Sequence, residues 1–140
     1  MNKRGFTLIE LLVVIAIIGL LSTLAVVALG SARVKARDSK RLSDVKQVQT
    51  ALELYYTDNN EYPAGASSTL GTGSYGCLNS NGWAATGCAN PYMGQVPSDP
   101  RSNTYVYTGA STTYTLVAEL EGNMSGFSGT VVASPSGIAD

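Results

Sequence analysis

The sequence predicts an α+β fold in which one long N-terminal helix packs through its second half on a small antiparallel β-sheet. Three patterns predict this fold. Residues 8–29 form a run of 22 residues with a single charge, Glu10. Apolar residues then recur every three or four positions between Leu42 and Tyr56, which is typical of an amphipathic helix. Two runs in the C-terminal half alternate apolar and polar residues, which is typical of half-buried strands.

The apolar run is long enough to cross a membrane. At ~1.5 Å per residue a helix over residues 8–29 spans about 33 Å, and the hydrocarbon core of a bilayer is roughly 30 Å thick. Glu10 is the exception, because a carboxylate in an apolar span is costly and needs a partner. The alternatives are a plain anchor, in which Glu10 reaches the headgroups, and an ordinary signal peptide, whose apolar region of ~7–15 residues is much shorter.

The residues at the start of the run form a specific motif. Lys3-Arg4-Gly5-Phe6-Thr7-Leu8-Ile9-Glu10 combines a short basic leader, a glycine, a phenylalanine and a glutamate four residues further on. This motif closely resembles the type IV prepilin signal of pilins and of type II secretion pseudopilins. The resemblance implies that a membrane peptidase cuts after Gly5, that the new amino terminus at Phe6 is N-methylated, and that Glu10 serves filament assembly. It also implies a pilin-like fold.

The spacing of this motif has a physical reason. Cleavage after Gly5 leaves a cationic amine on Phe6, and methylation does not remove that charge. In a bundle of such helices the amine of one copy can lie beside Glu10 of a neighbour, where an unpaired ion would be strongly disfavoured. We therefore expect a homopolymer. The resemblance adds a prepilin peptidase and methyltransferase and an inner-membrane assembly platform as partners.

The resemblance also fixes the expected localisation. It places the chain in the inner (cytoplasmic) membrane before assembly, with the head exported, and in an extracellular or envelope-spanning filament afterwards. Counting charges predicts the opposite orientation, because five bases between residues 33 and 41 follow the span and only Lys3 and Arg4 precede it. Large domains can translocate despite flanking charge, so we expect the orientation that the resemblance implies.

The distal part of the chain is acidic and lacks the residues of catalytic sites. After Lys46 there is one base, Arg101, against seven acids, which gives a net charge of −6. This excludes a basic nucleic-acid-binding face in the head. The chain has no histidine, and its sequence contains no glycine-rich phosphate loop and no metal-ligand motif. We expect neither enzyme activity nor a cofactor.

The chain divides into four expected segments: a leader at 1–5, a transmembrane or filament-core helix at 6–30, its amphipathic continuation at 31–58 and a small head at 59–140. Within the head, residues 64–90 are rich in Gly, Ser, Thr and Asn and predict a long irregular loop. The predicted strands are 104–108, 113–120 and 130–133. A turn is expected at residues 121–123, and the tail from Ser134 is expected to be loose.

Two cysteines, Cys77 and Cys88, lie in the predicted loop with ten residues between them. Such a pair suits a disulfide if the head is exported. The alternative is two unrelated reduced thiols. A disulfide would tie the loop down, and we expect Tyr75 and Trp83 to pack it on the head.

Two further stretches resemble the major pseudopilins of type II secretion, namely the tyrosine-rich helix end with Tyr62-Pro63 and the turn at residues 96–100. Those proteins often bind calcium through acidic side chains in a loop after the sheet. The matching residues here, 122–129, contain no Asp or Glu, so we expect no metal site.

The predicted function is a structural subunit of a type IV pilus-like filament. The alternatives are a type II secretion pseudopilin and a membrane-anchored surface binding module that does not polymerise.

Overall fold

The computed structural model describes residues 5–140. The remaining residues, with Lys3 and Arg4 of the expected leader, lie outside the described part. The chain forms two units, the first ending at Val34 and the second comprising Lys35–Asp140. Helix α1 (Leu8–Asn59) contributes to both units. This confirms the predicted continuation of the apolar helix into an amphipathic one, which ends one residue beyond the predicted boundary.

In the first unit α1 exposes its apolar side chains. The large hydrophobic residues from Leu8 to Leu29 are 46–81% exposed, and an 18-residue window of the helix has a mean hydropathy of 2.9. The sequence has no proline between Phe6 and Asp58, so the hydrogen-bond ladder of the helix is unbroken. A segment of this length and composition can cross a membrane, since a helix satisfies its backbone polar groups internally.

The second unit adds a sheet and a hairpin to the end of α1. Its strands in the described chain are β1 (Gly65–Thr69), β2 (Cys77–Asn79), β3 (Gly82–Ala84), β4 (Val106–Ala110), β5 (Thr113–Met124), β6 (Phe127–Ser134) and β7 (Gly137–Ala139). Five of them form an antiparallel sheet in the order β1-β4-β5-β6-β7, and β2 pairs with β3. This is the predicted α+β, pilin-like fold class.

The core lies between the second half of α1 and one face of the sheet. Val45, Val48 and Leu52 form the buried stripe of the helix. On β5 the alternate residues Tyr114 and Leu116 face them, as the alternation of the sequence predicts. The helix therefore forms here because a sheet covers its apolar stripe, which is the usual source of helical stability in proteins.

The sheet has five strands where the sequence predicted three. Residues 64–90 are not wholly irregular, because they contain β1, β2, β3 and a 3₁₀ turn at Gly73–Tyr75. The tail is not wholly loose either, since β7 pairs with β6. β1 and β7 lie at the two edges of the sheet, where pairing with β4 and β6 holds these short segments extended, and β2 and β3 pair with each other in a separate hairpin.

The turn predicted at residues 121–123 is displaced along the chain. Residues 121–123 lie within β5, and the chain reverses instead at Ser125 and Gly126. Both residues have positive φ, 55° and 89°, which suits a two-residue hairpin between twisted strands. The predicted strands 113–120 and 130–133 are confirmed and are longer than expected.

Candidate functional site

The motif residues that the structure describes, Gly5 to Glu10, lie at the start of α1, in the first unit. Thr7 precedes the helix and its hydroxyl oxygen accepts a hydrogen bond from the backbone N–H of Glu10 at 3.3 Å. Glu10 Oε2 in turn accepts from the backbone N–H and the hydroxyl of Thr7 at 2.8 and 2.7 Å. This is a capping box, which satisfies backbone donors that the first turn of a helix leaves free.

The capping box orients the carboxylate without using all of it. Both hydrogen bonds from Thr7 reach Oε2, and Oε1 accepts none from the residues that the structure describes. A carboxylate has lone pairs on both oxygens, so Oε1 of Glu10 can still accept a hydrogen bond. Phe6, at 78% exposed, and Gly5, which has no neighbour within 4 Å of an added Cβ, leave this end of the helix open.

The second unit contains a buried ion cluster that joins α1 to the sheet. Arg41 is fully buried and donates four hydrogen bonds to three carboxylates. Its Nε and Nη2 bind Asp99 at 2.6 and 3.1 Å, and its Nη1 binds Asp38 at 2.8 Å and Glu121 at 2.7 Å. Arg37 also binds Glu121 through two nitrogens. The planar guanidinium suits such paired recognition.

Asp38 extends this cluster into the backbone of β5. The pairing of β5 with β6 is irregular between Glu119 and Asn123. The backbone N–H groups of Glu121 and Gly122 instead donate to Asp38 at 2.9 and 2.8 Å. The helix thus supplies acceptors where the strand ladder is interrupted, and no charge of the cluster is left without a partner.

The cluster shifts the proton affinities of its members. Hydrogen bonds from Arg37 and then from Arg41 lower the pKa of Glu121 to about 2. Burial works against ionisation of Asp99, but hydrogen bonds from Arg41 and from the backbone of Arg101 outweigh it and lower its pKa. The bonds to Asp99 raise the pKa of Arg41 although burial opposes this. All three groups are therefore ionised at neutral pH.

The predicted cysteine pair is bonded in the second unit. Cys77 and Cys88 have an S–S distance of 2.07 Å, and the bond closes the hairpin of β2 and β3. Trp83 on β3 packs against Tyr107 with ring centroids 5.1 Å apart, and Tyr75 packs against the same core. The expected packing of both aromatic residues on the head is confirmed. The cysteines and the motif residues belong to different units.

The sequence reasoning missed the ion cluster. The sequence analysis counted Arg37 and Arg41 only among the cations that follow the span and assigned them no partner. A signal was present, because Asp38 and Arg41 fall in the same helical register as Val45, Val48 and Leu52. Charged residues within an apolar stripe indicate buried partners elsewhere in the chain.

The geometry offers structural contacts rather than catalytic groups. Within residues 5–140 no group of three or more His, Cys, Asp or Glu side chains is arranged to hold a metal ion. The three acids that meet at Arg41, namely Asp38, Asp99 and Glu121, are bound by that arginine. What the chain presents is an open, capped helix start, an exposed apolar helix and a small cross-linked head.

Comparison with known families gives two adjoining matches. Residues 1–30 match the prokaryotic N-terminal methylation motif, and residues 28–131 match the family described as type II secretion system (T2SS), protein G. The two matches together cover most of the chain.

Individual relatives agree with the family matches. The type II secretion system core protein G of Escherichia coli K12 is 37% identical over 108 residues, covering 75% of this chain and 71% of the relative. The corresponding protein of Aeromonas hydrophila is 36% identical and covers 75% and 74%. That of Pseudomonas aeruginosa is 33% identical and covers 79% and 77%. No solved structure gives a significant match.

Proposed function

The chain belongs to the type II secretion system protein G family, and from this we propose that it is a pseudopilin, a structural subunit of the fibre of a type II secretion system. The observation that carries the proposal is the family match over residues 28–131. It favours the pseudopilus, which the sequence analysis held as an alternative, over the type IV pilus. The names of the relatives describe a secretion component, and accordingly we assign the chain a structural role and no catalytic one.

Assembly begins with processing in the membrane. We propose cleavage after Gly5 and methylation of Phe6 by a prepilin peptidase, which the match of residues 1–30 to the methylation motif supports. Before assembly the processed chain resides in the inner membrane, with its apolar helix in lipid and its head exported. An inner-membrane assembly platform moves it from this pool into the fibre.

The amine freed on Phe6 directs the register between subunits. It pairs with Glu10 of a neighbouring copy, and the open oxygen of the capped carboxylate is the acceptor that supports this step. Each charge then has a partner in an apolar bundle, where an unpaired ion would be costly. Lipid and protein interior are about equally apolar, so the bundle is stabilised by side-chain packing and by this pair rather than by hydrophobic transfer.

Two variants test the role of Glu10 with matched chemistry. Glu10→Gln removes the charge but keeps a residue that completes a capping box, and Glu10→Val removes both. We expect both variants to insert in the membrane like the unmodified chain, and we expect neither to form fibres that can be sheared from the cells and seen by electron microscopy. Normal fibres from Glu10→Gln would refute the charge pair. Normal fibres from both variants would show that Glu10 has no role in assembly.

The type IV pilus and the surface binding module predict different assembly states of the chain in its native host. Long surface fibres that form without a secretion system would favour a type IV pilus. A processed chain that stays a dispersed monomer in its native host would favour a membrane-anchored surface binding module and would contradict the proposal.

A further inference from the structure

An open cleft lies beside the C-terminal end of α1, in the second unit. It has a volume of about 360 Å³ and is lined by three aromatic side chains, Tyr55, Tyr75 and Trp83, together with the carboxylate of Glu61. Tyr75 and Trp83 lie with ring centroids 5.7 Å apart and planes tilted by 44°. Tyr55 is mostly buried and contributes the remainder of the aromatic lining.

The lining of the cleft suits an organic cation. Aromatic faces attract a cation within about 6 Å of the ring centroid, and aromatic clefts of this kind recognise ammonium groups on flexible stems. Glu61 is exposed and forms no ion pair and no side-chain hydrogen bond within the described residues. Its charge acts on the cleft, because burial and then the nearby Glu61 carboxylate raise the pKa of Tyr55. The negative charge of the cleft is thus uncompensated.

The chain itself carries the complementary charge. In the second unit most bases are already paired, since Arg37, Arg41 and Arg101 bind Glu121 and Lys40 binds Asp44. Lys35 and Lys46 are exposed and have no ion pair among the residues that the structure describes. A second copy of this chain can therefore offer a free lysine to the free acid of the first.

We propose that the cleft formed by Tyr55, Glu61, Tyr75 and Trp83 receives the Lys35 side chain of a second copy, a contact that rests on the proposed function as a fibre subunit. Lys35 begins the second unit and Tyr55 lies 20 residues further along α1, about 30 Å at ~1.5 Å per residue. When a second copy is displaced by that distance along α1, its Lys35 lies level with Tyr55 of the first copy. Lys46 would need a displacement of only about 14 Å, with the two heads overlapping over much of their helices.

The two sides of this contact are different surfaces, which has a consequence for assembly. Each copy offers its cleft to one neighbour and its lysine to another. Such a heterologous contact does not close on itself when the copies are displaced along an axis, and it generates an open filament. The contact between Lys35 and the cleft therefore fixes the axial position of one head relative to the next, in addition to the register that Glu10 sets in the apolar bundle.

Thiol cross-linking in assembled fibres tests the contact directly. Ala64 is exposed at the rim of the cleft, and the native cysteines are bonded to each other, so a short bis-maleimide reacts only with introduced cysteines. Lys35 itself must stay, so the second cysteine is placed one helical turn further on, at the exposed Ser39. We expect Ser39→Cys with Ala64→Cys to give a ladder of covalent multimers. The matched control, Thr50→Cys with Ala64→Cys, places its thiol one turn beyond Lys46 and should stay monomeric. A ladder from the control, or none from the Ser39 pair in fibres that have assembled, would overturn the assignment.

A charge exchange separates this contact from the proposed function. Glu61→Lys should reduce the fibre yield, and combining it with Lys35→Glu should restore the yield, whereas combining it with Lys46→Glu should not. Normal fibres from Glu61→Lys would contradict the contact while leaving the subunit role intact. If the unmodified chain forms no fibres in its native host, the proposed function itself is wrong.

Discussion

Arg41 on α1 holds both carboxylate oxygens of Asp99, with nitrogen–oxygen distances of 2.6 and 3.1 Å, although the two residues are 58 positions apart in the sequence. Both side chains are almost completely buried. The pair ties the helix of the second unit to the segment that precedes β4. The head is therefore attached to α1 by a charged bond as well as by apolar packing.

Replacing Arg41 by methionine should destabilise the second unit strongly. The substitution leaves Asp38 and Asp99 buried without their cation, and breaking a buried ion pair in this way costs about 3–5 kcal/mol. We expect that loss in the free energy of unfolding of the detergent-solubilised chain, measured by denaturant titration with the fluorescence of Trp83, the single tryptophan. Lys46→Met, at an exposed and unpaired site, should change it by no more than about 0.5 kcal/mol. Equal effects of the two substitutions would contradict the buried cluster.

Acid should weaken the same connection. The pKa of Glu121 lies at about 2 in the folded chain and near 4.5 ordinarily, so the carboxylate binds protons more weakly when folded. Its contribution to stability is complete above the ordinary pKa and is lost as the pH falls from about 4.5 towards 2. Asp99, whose pKa is also lowered, adds to the loss in the same direction.

Unfolding midpoints measured across this pH range check the prediction. Glu121→Gln should be less stable at neutral pH and should lose less on acidification than the unmodified chain. Glu119→Gln, at an exposed position on the same strand, should retain the full acid dependence. The prediction fails if Glu121→Gln and the unmodified chain respond alike.

The disulfide should stabilise the head by constraining its unfolded state. Cys77 and Cys88 are 11 positions apart, and closing a loop of that size typically contributes ~2–4 kcal/mol. The double variant with both cysteines replaced by serine should lose that amount of unfolding free energy. A reductant should lower the stability of the unmodified chain to the same level and leave the variant unaffected, and a reductant without effect would mean that the thiols are not bonded.

Calcium should not affect the folded chain. The expected absence of a metal site rests on the lack of acids in residues 122–129, and it stays a prediction. We expect that a calcium chelator in excess leaves the thermal unfolding midpoint unchanged, and that adding millimolar calcium also has no effect. A midpoint that rises with calcium and falls with chelator would place a site in this family member that its sequence does not indicate.

The sequence predicts the parts of the fold that depend on strong local patterns. The apolar run, the stripe of Val45, Val48 and Leu52 and the alternation on β5 each have the period of their element, and the structure has the expected helix and strand there. By contrast, β1 and β7 are short segments without a clear apolar alternation, and each is held as a strand by pairing at an edge of the sheet, with β4 and with β6 respectively. Pairing of that kind has no local signal.

The candidate site residues also differ in how far the sequence predicts them. Gly5, Phe6 and Glu10 stand in a contiguous motif, so their roles can be predicted from the sequence alone, and those roles stay predictions. The partners of Arg41 come from α1, from the segment before β4 and from β5, so only the folded chain brings them together. Arginines are mostly exposed, so the residue type of Arg41 gives no sign of burial, whereas its helical register with Val45 and Val48 does.

The Phe6–Glu10 pair is tested most sharply by the mass of the N-terminal peptide of the chain purified from its native host. We predict that the chain begins at Phe6, because the pair requires a cationic terminus facing Glu10 of the next copy, and that this amine carries a methyl group, because residues 1–30 match the methylation motif. A chain that still begins at Met1, or one that begins after the apolar run at Ser31, would contradict this prediction.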